Sequence, residues 1–590
     1  MTDSSPTSSL RWPWYCLGAL SIFFHLYLVF SGMVPNLISR PLHMALAAPW
    51  ALVFTAQTPA RRWSGLLLTL VAVASCCYVA LHEETLSDQY GALHGSLQLA
   101  MAVILLLSTL EMARRSISWP LPSVALLALL YGLFGHYIPG EFGYPGLPLR
   151  SFLGTLTIAE GGLWGQLTGV SVQIVAIFVI MGAVLNAGEA GQGFMNLATA
   201  VAGRLKGGAA KVSVLSSALF GSISGSASAN VASTGAITLP AMTKLGYPRA
   251  LAGAVEAVAS SGGQIMPPLM GAGAFVMVEL TGVPYNSIMG AALLPAILYF
   301  LTVWSGINAY AQRYSLKAVE QGDLPERAAV ITTALFFVVP FAVLLERMFN
   351  GGYTPQYAAC VAILVAFLLL FVDIRFSFSL SRTLHRLQDV CLNCGKQIST
   401  IASIILCASI VIGVLGQTGL GVKITSLILS GSGHSLWPAL LLTGLACLVL
   451  GMEVPTTAAY VICVSVAGPA LQELGVPPLV AHLFVFWFAL LSTITPPVCG
   501  AVFIASGMVG ENWLKIAVCA MTLGIGLYLI PLGMVANPAL IRLFDTPVAA
   551  LLAFFKLGAS LTAISYGIIA PRGVLARLAL VSAGLVGIFV

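Results

Sequence analysis

The chain has 590 residues, of which 58% are hydrophobic, and only 26 Lys and Arg and 20 Asp and Glu. Soluble globular chains carry about a quarter charged residues, so soluble, disordered, collagen-like and disulfide-rich classes are excluded, and a polytopic membrane protein is implied. The net charge of +6 is small for this length and its positives sit singly or in pairs. That excludes the basic face a nucleic-acid partner needs.

Apolar runs of about 20 residues read as spanning helices. They are predicted near 15–34, 42–58, 64–82, 93–112, 120–138, 166–187, 250–280, 287–310, 328–346, 355–374, 398–417, 478–510, 513–535, 547–568 and 573–590. Arg11 before the first run resembles the start of a signal sequence, but no small-residue cleavage site follows Val34, so a retained anchor is expected. Arg61 with Arg62, and Arg114 with Arg115, mark one side of the bilayer. The loop with Glu83, Glu84 and Asp88 lies opposite, and only Arg40 dissents. Continuing the alternation places Arg204, Lys206 and Lys211 with the other positives, which makes the N-terminus cytoplasmic. The basic pair at 114–115 closes a four-span module, residues 1–115, ahead of a transport domain at 116–536 and a two-span extension at 537–590.

Sliding the chain on itself by 229 residues exposes a repeat. Pro240-Ala241 meets Pro469-Ala470, Leu245-Gly246-x-Pro248 meets Leu474-Gly475-x-Pro477, and Ala252 meets Ala481. Ile265, Pro267, Pro268, Gly271 and Ala272 meet Ile494, Pro496, Pro497, Gly500 and Ala501, giving eleven identities in 33 positions. Shared Pro and Gly fix backbone breaks rather than mere hydrophobicity. The first copy's loop carries Lys244 and Arg249, whereas the second carries only Glu473. By the positive-inside rule the two loops face opposite sides. The expected core is therefore an inverted-topology repeat, about 166–310 and 395–536, of the kind found in secondary transporters.

Each copy has two interruptions. The first is polar and rich in small residues, 221–230 in one copy and 451–457 in the other. Its apolar flanks are too short to cross and return, which predicts a re-entrant hairpin. The second splits a span at 260–268 and at 492–497, where Pro-Pro removes two N–H donors and ends the helix. Freed carbonyls at membrane depth need protein, water or an ion. Unwound carbonyls and hydroxyls suit Na⁺, and half-helix N-termini suit an anion. The cation cage is assigned to Ser224, Gly225, Asn230 and Gly262 with Thr456, Thr493 and Thr495. The substrate is assigned to Ser226, Asn230, Gln264, Pro267, Thr456 and Thr457.

Intramembrane carboxylates are functional candidates by default. Glu256 and Glu453 are the two that could bind a cation or carry a proton. Lys556 lies beyond the repeat and is expected to snorkel. Most of the eleven cysteines fall in apolar runs as small hydrophobes. Cys391 and Cys394 form one CxxC without a second, a weak basis for metal or redox chemistry. The chain has no GxxxxGK[ST], HExxH or GxSxG, so no enzyme activity is expected. An ion channel or a membrane-embedded enzyme in the same polar cavity are the alternatives; the missing nucleophile–base pair weighs against the enzyme.

Residues 216–285, with GAVEAVASSGGQIMPPLMGAGAF at their centre, closely resemble the large membrane subunit of tripartite ATP-independent periplasmic (TRAP) transporters. The form is most similar to the TAXI subgroup, in which small and large membrane subunits are fused. The resemblance covers about 120–536, and the four preceding spans are what a fused small subunit would supply. It implies an all-α permease of the bacterial inner membrane with two re-entrant hairpins, two broken helices and elevator-like transport. It further implies a small organic anion, commonly a carboxylate, delivered by a separate periplasmic binding protein and driven by Na⁺. Family sodium sites map onto Ser224–Asn230, Gly262–Gly263 and Thr456–Thr495. Proton coupling, seen in some TAXI systems, stays open through Glu256.

Overall fold

A computed structural model describes residues 12–320, 322, 324–451, 455–497 and 499–590. Among them the protein is all helix and turn, with one isolated antiparallel bridge between Val372 and Phe378. Eleven of the helices are long and apolar enough to cross a membrane, so the protein is an all-α, multi-pass membrane protein. The chain divides into two compact units, one of residues up to 188 with 351–427, the other of 189–350 with 428–590.

The first unit holds the five N-terminal spans, Trp12–Phe30, Asn36–Phe54, Pro59–Leu81, Gly95–Ser116 and Pro120–Tyr137, and also Gln166–Ala187 and Leu380–Thr418. Several of its buried polar groups are paired, as a dry interior favours. Arg115 binds the Glu111 carboxylate at 2.6 Å and the Leu52 and Arg61 carbonyls at 2.6 and 2.8 Å. His25 Nε2 and His43 Nδ1 lie 2.8 Å apart, and His43 Nε2 reaches Ser171 Oγ at 3.0 Å. The last span was expected to start at 398, yet its helix begins at Leu380 and runs 39 residues. An apolar window reads depth in the bilayer, not helicity. Residues 380–397 carry Arg382, Arg386, Asp389 and Lys396 but no proline, so nothing in the backbone stops the helix there. Ser379 caps it, and Arg386 ties it to the Leu370 and Val372 carbonyls at 3.0 and 2.7 Å. Asp373 accepts from Arg382 at 2.9 Å. The hydroxyl and N–H of Ser377 hold that carboxylate below its usual range.

The second unit contains residues 189–310 and 428–536 of the two copies, with 166–188 and 395–427 in the first unit, and the hairpin and broken helices fall in register at the same offset. Helices Gly208–Ser224 and Ala227–Lys244 form the first hairpin, turning at Gly225 and Ser226. Leu436–Leu450 packs against Thr456–Glu473 in the second. Ala227–Lys244 and Thr456–Glu473 have 18 residues each and begin and end at matched positions. Arg249–Gly262 is followed by a short 3₁₀ turn, a cis Pro267–Pro268 bond and then Gly271–Thr281. Pro478–Leu490, a 3₁₀ turn, a cis Pro496–Pro497 bond and Gly500–Val509 repeat that order. The two copies also interlock. Gly271–Thr281 packs on the second copy's Thr456–Glu473 and Pro478–Leu490, while Gly500–Val509 packs on the first copy's Ala227–Lys244 and Arg249–Gly262. The C-terminal pair Pro547–Ile569 and Val574–Phe589 belongs to this unit, with Pro547–Ile569 lying along Tyr285–Tyr314.

Candidate functional site

The first broken helix is the centre of the second unit: every residue from Leu251 to Gly262 is buried. Its Ala, Gly and Ser residues let neighbouring backbones close in. At Gly263 a Cβ would stand 2.5 Å from Gly221 Cα and 2.9 Å from the Ser217 carbonyl oxygen. Gly225, at φ +59°, caps the first hairpin helix in the left-handed region, and a Cβ there would meet Gly271 Cα at 2.6 Å. Glycine is therefore required at the hairpin tip both for its φ and for the close approach.

Asn230 is fully buried beside this contact. Its Nδ2 donates to the Ser217 carbonyl at 2.9 Å and the Ser260 carbonyl at 3.4 Å, tying both hairpin arms to the broken helix. Ser224 Oγ is buried with no hydrogen-bond partner. Ser226 Oγ accepts from the Ala229 N–H at 3.3 Å as the N-cap of the second arm.

Two hydrogen bonds join the copies across their interruptions. Gln264 donates to the Gly225 carbonyl at 3.2 Å and accepts from Thr456 Oγ1 at 2.9 Å, so one amide touches both hairpins. Ser261 and Thr493 hydroxyls meet at 2.7 Å, linking the two breaks. Thr495 pairs instead with Tyr528 at 2.6 Å. Pro267 and Thr457 are half-buried, and Gly262 packs under the Tyr299 and Phe300 rings. Glu453 lies outside the described residues.

Glu256 is fully buried on the first broken helix. Ser213 donates to its carboxylate at 2.8 Å, Ser217 and Ser260 at 3.4 Å each, and Thr234 and Thr238 through closer contacts. All five partners are hydroxyls from the first hairpin and from its own helix. None of the ion pairs among the described residues includes it. The second copy provides an internal control. At the matched positions Asn230, Thr234, Thr238, Glu256 and Ser260 are replaced by Ala459, Cys463, Ala467, Val485 and Ala489. The same backbone is thus built once around small apolar side chains and once around a carboxyl in a hydroxyl cage.

The sequence reading missed Tyr299 and Tyr528. Tyr299 donates to the Val258 carbonyl at 2.7 Å, and Tyr528 meets Thr495. They occupy matched positions, as do Leu298 and Leu527, so extending the same comparison past the proline pairs would have found them. Lys556, on Pro547–Ile569, donates to Asn537 Oδ1 at 2.9 Å. Among the described residues no cluster of three His, Cys, Asp or Glu side chains is placed to hold a metal ion.

Residues 103–548 match the family described as the tripartite ATP-independent periplasmic transporter, DctM component. The chain belongs to this family. As a TRAP permease it is a transporter component and not an enzyme. It is 28% identical over 342 residues to the C4-dicarboxylate TRAP transporter large permease protein DctM of Pseudomonas aeruginosa, covering 57% of this chain and 77% of that one. It is 25% identical over 401 residues to the isethionate TRAP transporter permease protein DctMQ of Oleidesulfovibrio alaskensis, covering 65% and 60%. It is 22% identical over 355 residues to the sialic acid TRAP transporter large permease protein SiaM of Vibrio cholerae, covering 60% and 80%. The family match starts eleven residues before the basic pair at 114–115 and spans both copies of the repeat.

Proposed function

We propose that this TRAP permease imports a small organic anion, a carboxylate in the first instance, received from a separate periplasmic binding protein and driven by an ion gradient. The observation that carries the reading is the convergence of both interruptions of both copies in one compact unit, tied by Gln264 to Thr456 and by Ser261 to Thr493. Named relatives transport C4-dicarboxylate, isethionate and sialic acid, which supports the substrate class. No Lys or Arg lies in the interruptions. Recognition of the anion therefore rests on hydroxyls and on helix N-termini. Gly271–Thr281 and Gly500–Val509 both start just past a break, and neither has a side-chain N-cap hydrogen bond.

Na⁺ is the coupling ion of this reading. The buried, unpartnered Ser224 Oγ beside the left-handed Gly225 offers hard oxygen at the hairpin tip. Asn230, Gly262, Thr456 and Thr493 are grouped around the same breaks, with Thr495 turned toward Tyr528. Ser226, Gln264, Pro267 and Thr457 are assigned to the substrate. Movement is of elevator type, with the N-terminus in the cytoplasm, residues 1–115 acting as a fused small subunit of TAXI type and 537–590 as an extension. A second reading, coupling to H⁺, is favoured by Glu256, because the second copy shows that the fold does not need a carboxyl there.

The test is uptake into proteoliposomes with the partner binding protein under an imposed Na⁺ or pH gradient. Stimulation by Na⁺, weakened in Asn230→Ala, supports the first reading. Stimulation by the pH gradient alone, lost in Glu256→Gln, supports the second. Uptake indifferent to both gradients removes ion coupling altogether.

A further inference from the structure

We propose that the second unit carries a specific site for an anionic phospholipid headgroup, separate from the transport site. A cavity of about 290 Å³ opens where Tyr285–Tyr314 and Pro547–Ile569 end and where Arg249–Gly262 and Trp513–Ala536 begin. Four helix ends at one level place the cavity at the boundary between hydrocarbon and water, where headgroups lie. Its walls divide by chemistry. Val518 and Ile569 form an apolar side, Tyr310 and Tyr314 a stacked aromatic side, and Arg313 with Lys515 a cationic rim. Tyr rings are the usual residents of that interfacial level.

The charge balance selects an anion. Arg313 rests over the Tyr314 ring at 5.6 Å and has no acidic partner among the described residues. Lys515 shares the Glu511 carboxylate at 3.2 Å, so one negative group faces two rim cations. Arg577 adds a third positive charge by holding the Ile568 carbonyl, a cavity wall, at 2.8 Å. A phosphodiester matches the rim, and the acyl chains attached to it match the apolar wall, which a free phosphate would leave uncovered. The cavity is at the small end of the ~300–1,000 Å³ usual for ligand pockets, enough for a headgroup with its chains left in the bilayer. Basic pockets between spanning helices on the cytoplasmic side bind such headgroups, and the positive-inside rule puts this rim on that side.

The experiment compares retention of phosphatidylglycerol and phosphatidylethanolamine by the purified full chain, read by native mass spectrometry after detergent washing. The wild type is expected to keep phosphatidylglycerol through washes that strip phosphatidylethanolamine. The double variant Arg313→Gln with Lys515→Gln is expected to lose about thirtyfold in retention, two interfacial charges' worth. Val518→Trp, which fills the cavity and leaves the charges, should lose it as well. Arg62→Gln, on a residue of the other unit, is the control and should retain lipid as the wild type does. Equal retention of both lipids by the wild type, or undiminished retention by the double variant, overturns the site. Displacement of the lipid by millimolar inorganic phosphate overturns the lipid as its occupant.

Discussion

A close backbone approach in the second unit predicts the effect of a single methyl group. In Gly263→Ala the new Cβ would stand 2.5 Å from Gly221 Cα, 2.9 Å from Ser217 O and 3.0 Å from Asn230 Nδ2. Carbon atoms rest at about 3.5–4.0 Å, so the first hairpin must retreat by about 1 Å or more. Two of the three obstacles are backbone, and no rotamer change relieves them. Overpacking of this kind costs about 1–3 kcal/mol, and the helical Gly→Ala exchange returns about 0.4–1 kcal/mol. The net expectation is a loss of about 1–2 kcal/mol, with a melting temperature lower by about 1–3 °C for a unit of this size. Moving the hairpin also pulls Asn230 from the Ser260 carbonyl, so uptake should fall more than stability does. All eleven cysteines are free and seven are buried. A thiol-reactive dye can therefore follow melting of the detergent-purified chain. Gly416→Ala, with nothing near its Cβ, is the matched control. If Gly263→Ala melts and transports like that control, the packing of the hairpin tip against the break is not as described.

Glu256→Gln keeps shape but presents an NH₂ to hydroxyls that all donate to the carboxylate. At least one must turn, and pH-gradient-driven uptake should be abolished while binding of Na⁺, measured by thermal shift, persists. Gln264→Ala and Thr456→Ala each break their shared hydrogen bond, so a double-mutant cycle on stability should show a coupling of about 0.5–1.5 kcal/mol; strictly additive losses would dissolve the bridge. Tyr528→Phe should mimic Thr495→Val in uptake, because each removes the same 2.6 Å contact, and a normal Tyr528→Phe with a defective Thr495→Val would assign Thr495 another partner.

What could be read from the chain followed the kind of signal each feature leaves. Proline and glycine act on the backbone alone, so the breaks at Pro267-Pro268 and Pro496-Pro497 and the turn at Gly225 were visible before any contact was known. The helix at 380–397 was missed because hydropathy measures preference for lipid, whereas a capped, proline-free charged segment is equally helical. Short amphipathic helices such as Ala190–Ala202 fell below the length of a span for the same reason. Glu256 was found as a rare intramembrane carboxyl, but its partners Ser213, Thr234 and Thr238 come from three different turns of the hairpin, and Ser and Thr in membrane helices usually back-bond to their own carbonyls. Thr234 and Thr238 also lie against the Asn230 and Thr234 carbonyls at 2.8 and 3.1 Å, so only tertiary contact shows that they reach the carboxylate.

The two copies together separate what the fold needs from what function adds. Matched boundaries, the proline pairs and Tyr299 with Tyr528 persist in both halves, so they belong to the architecture. The polar cluster does not persist: Val485, Cys463 and Ala467 stand where Glu256, Thr234 and Thr238 do. Burying a carboxyl costs several kcal/mol before its hydrogen bonds offset the loss, and the second copy avoids that cost with apolar packing at the same backbone positions. Stability therefore cannot be the reason for the cluster in the first copy. A carboxyl that the fold does not need is what the proposed coupling to H⁺ calls on, and the asymmetry between the two copies is the observation that supports that reading.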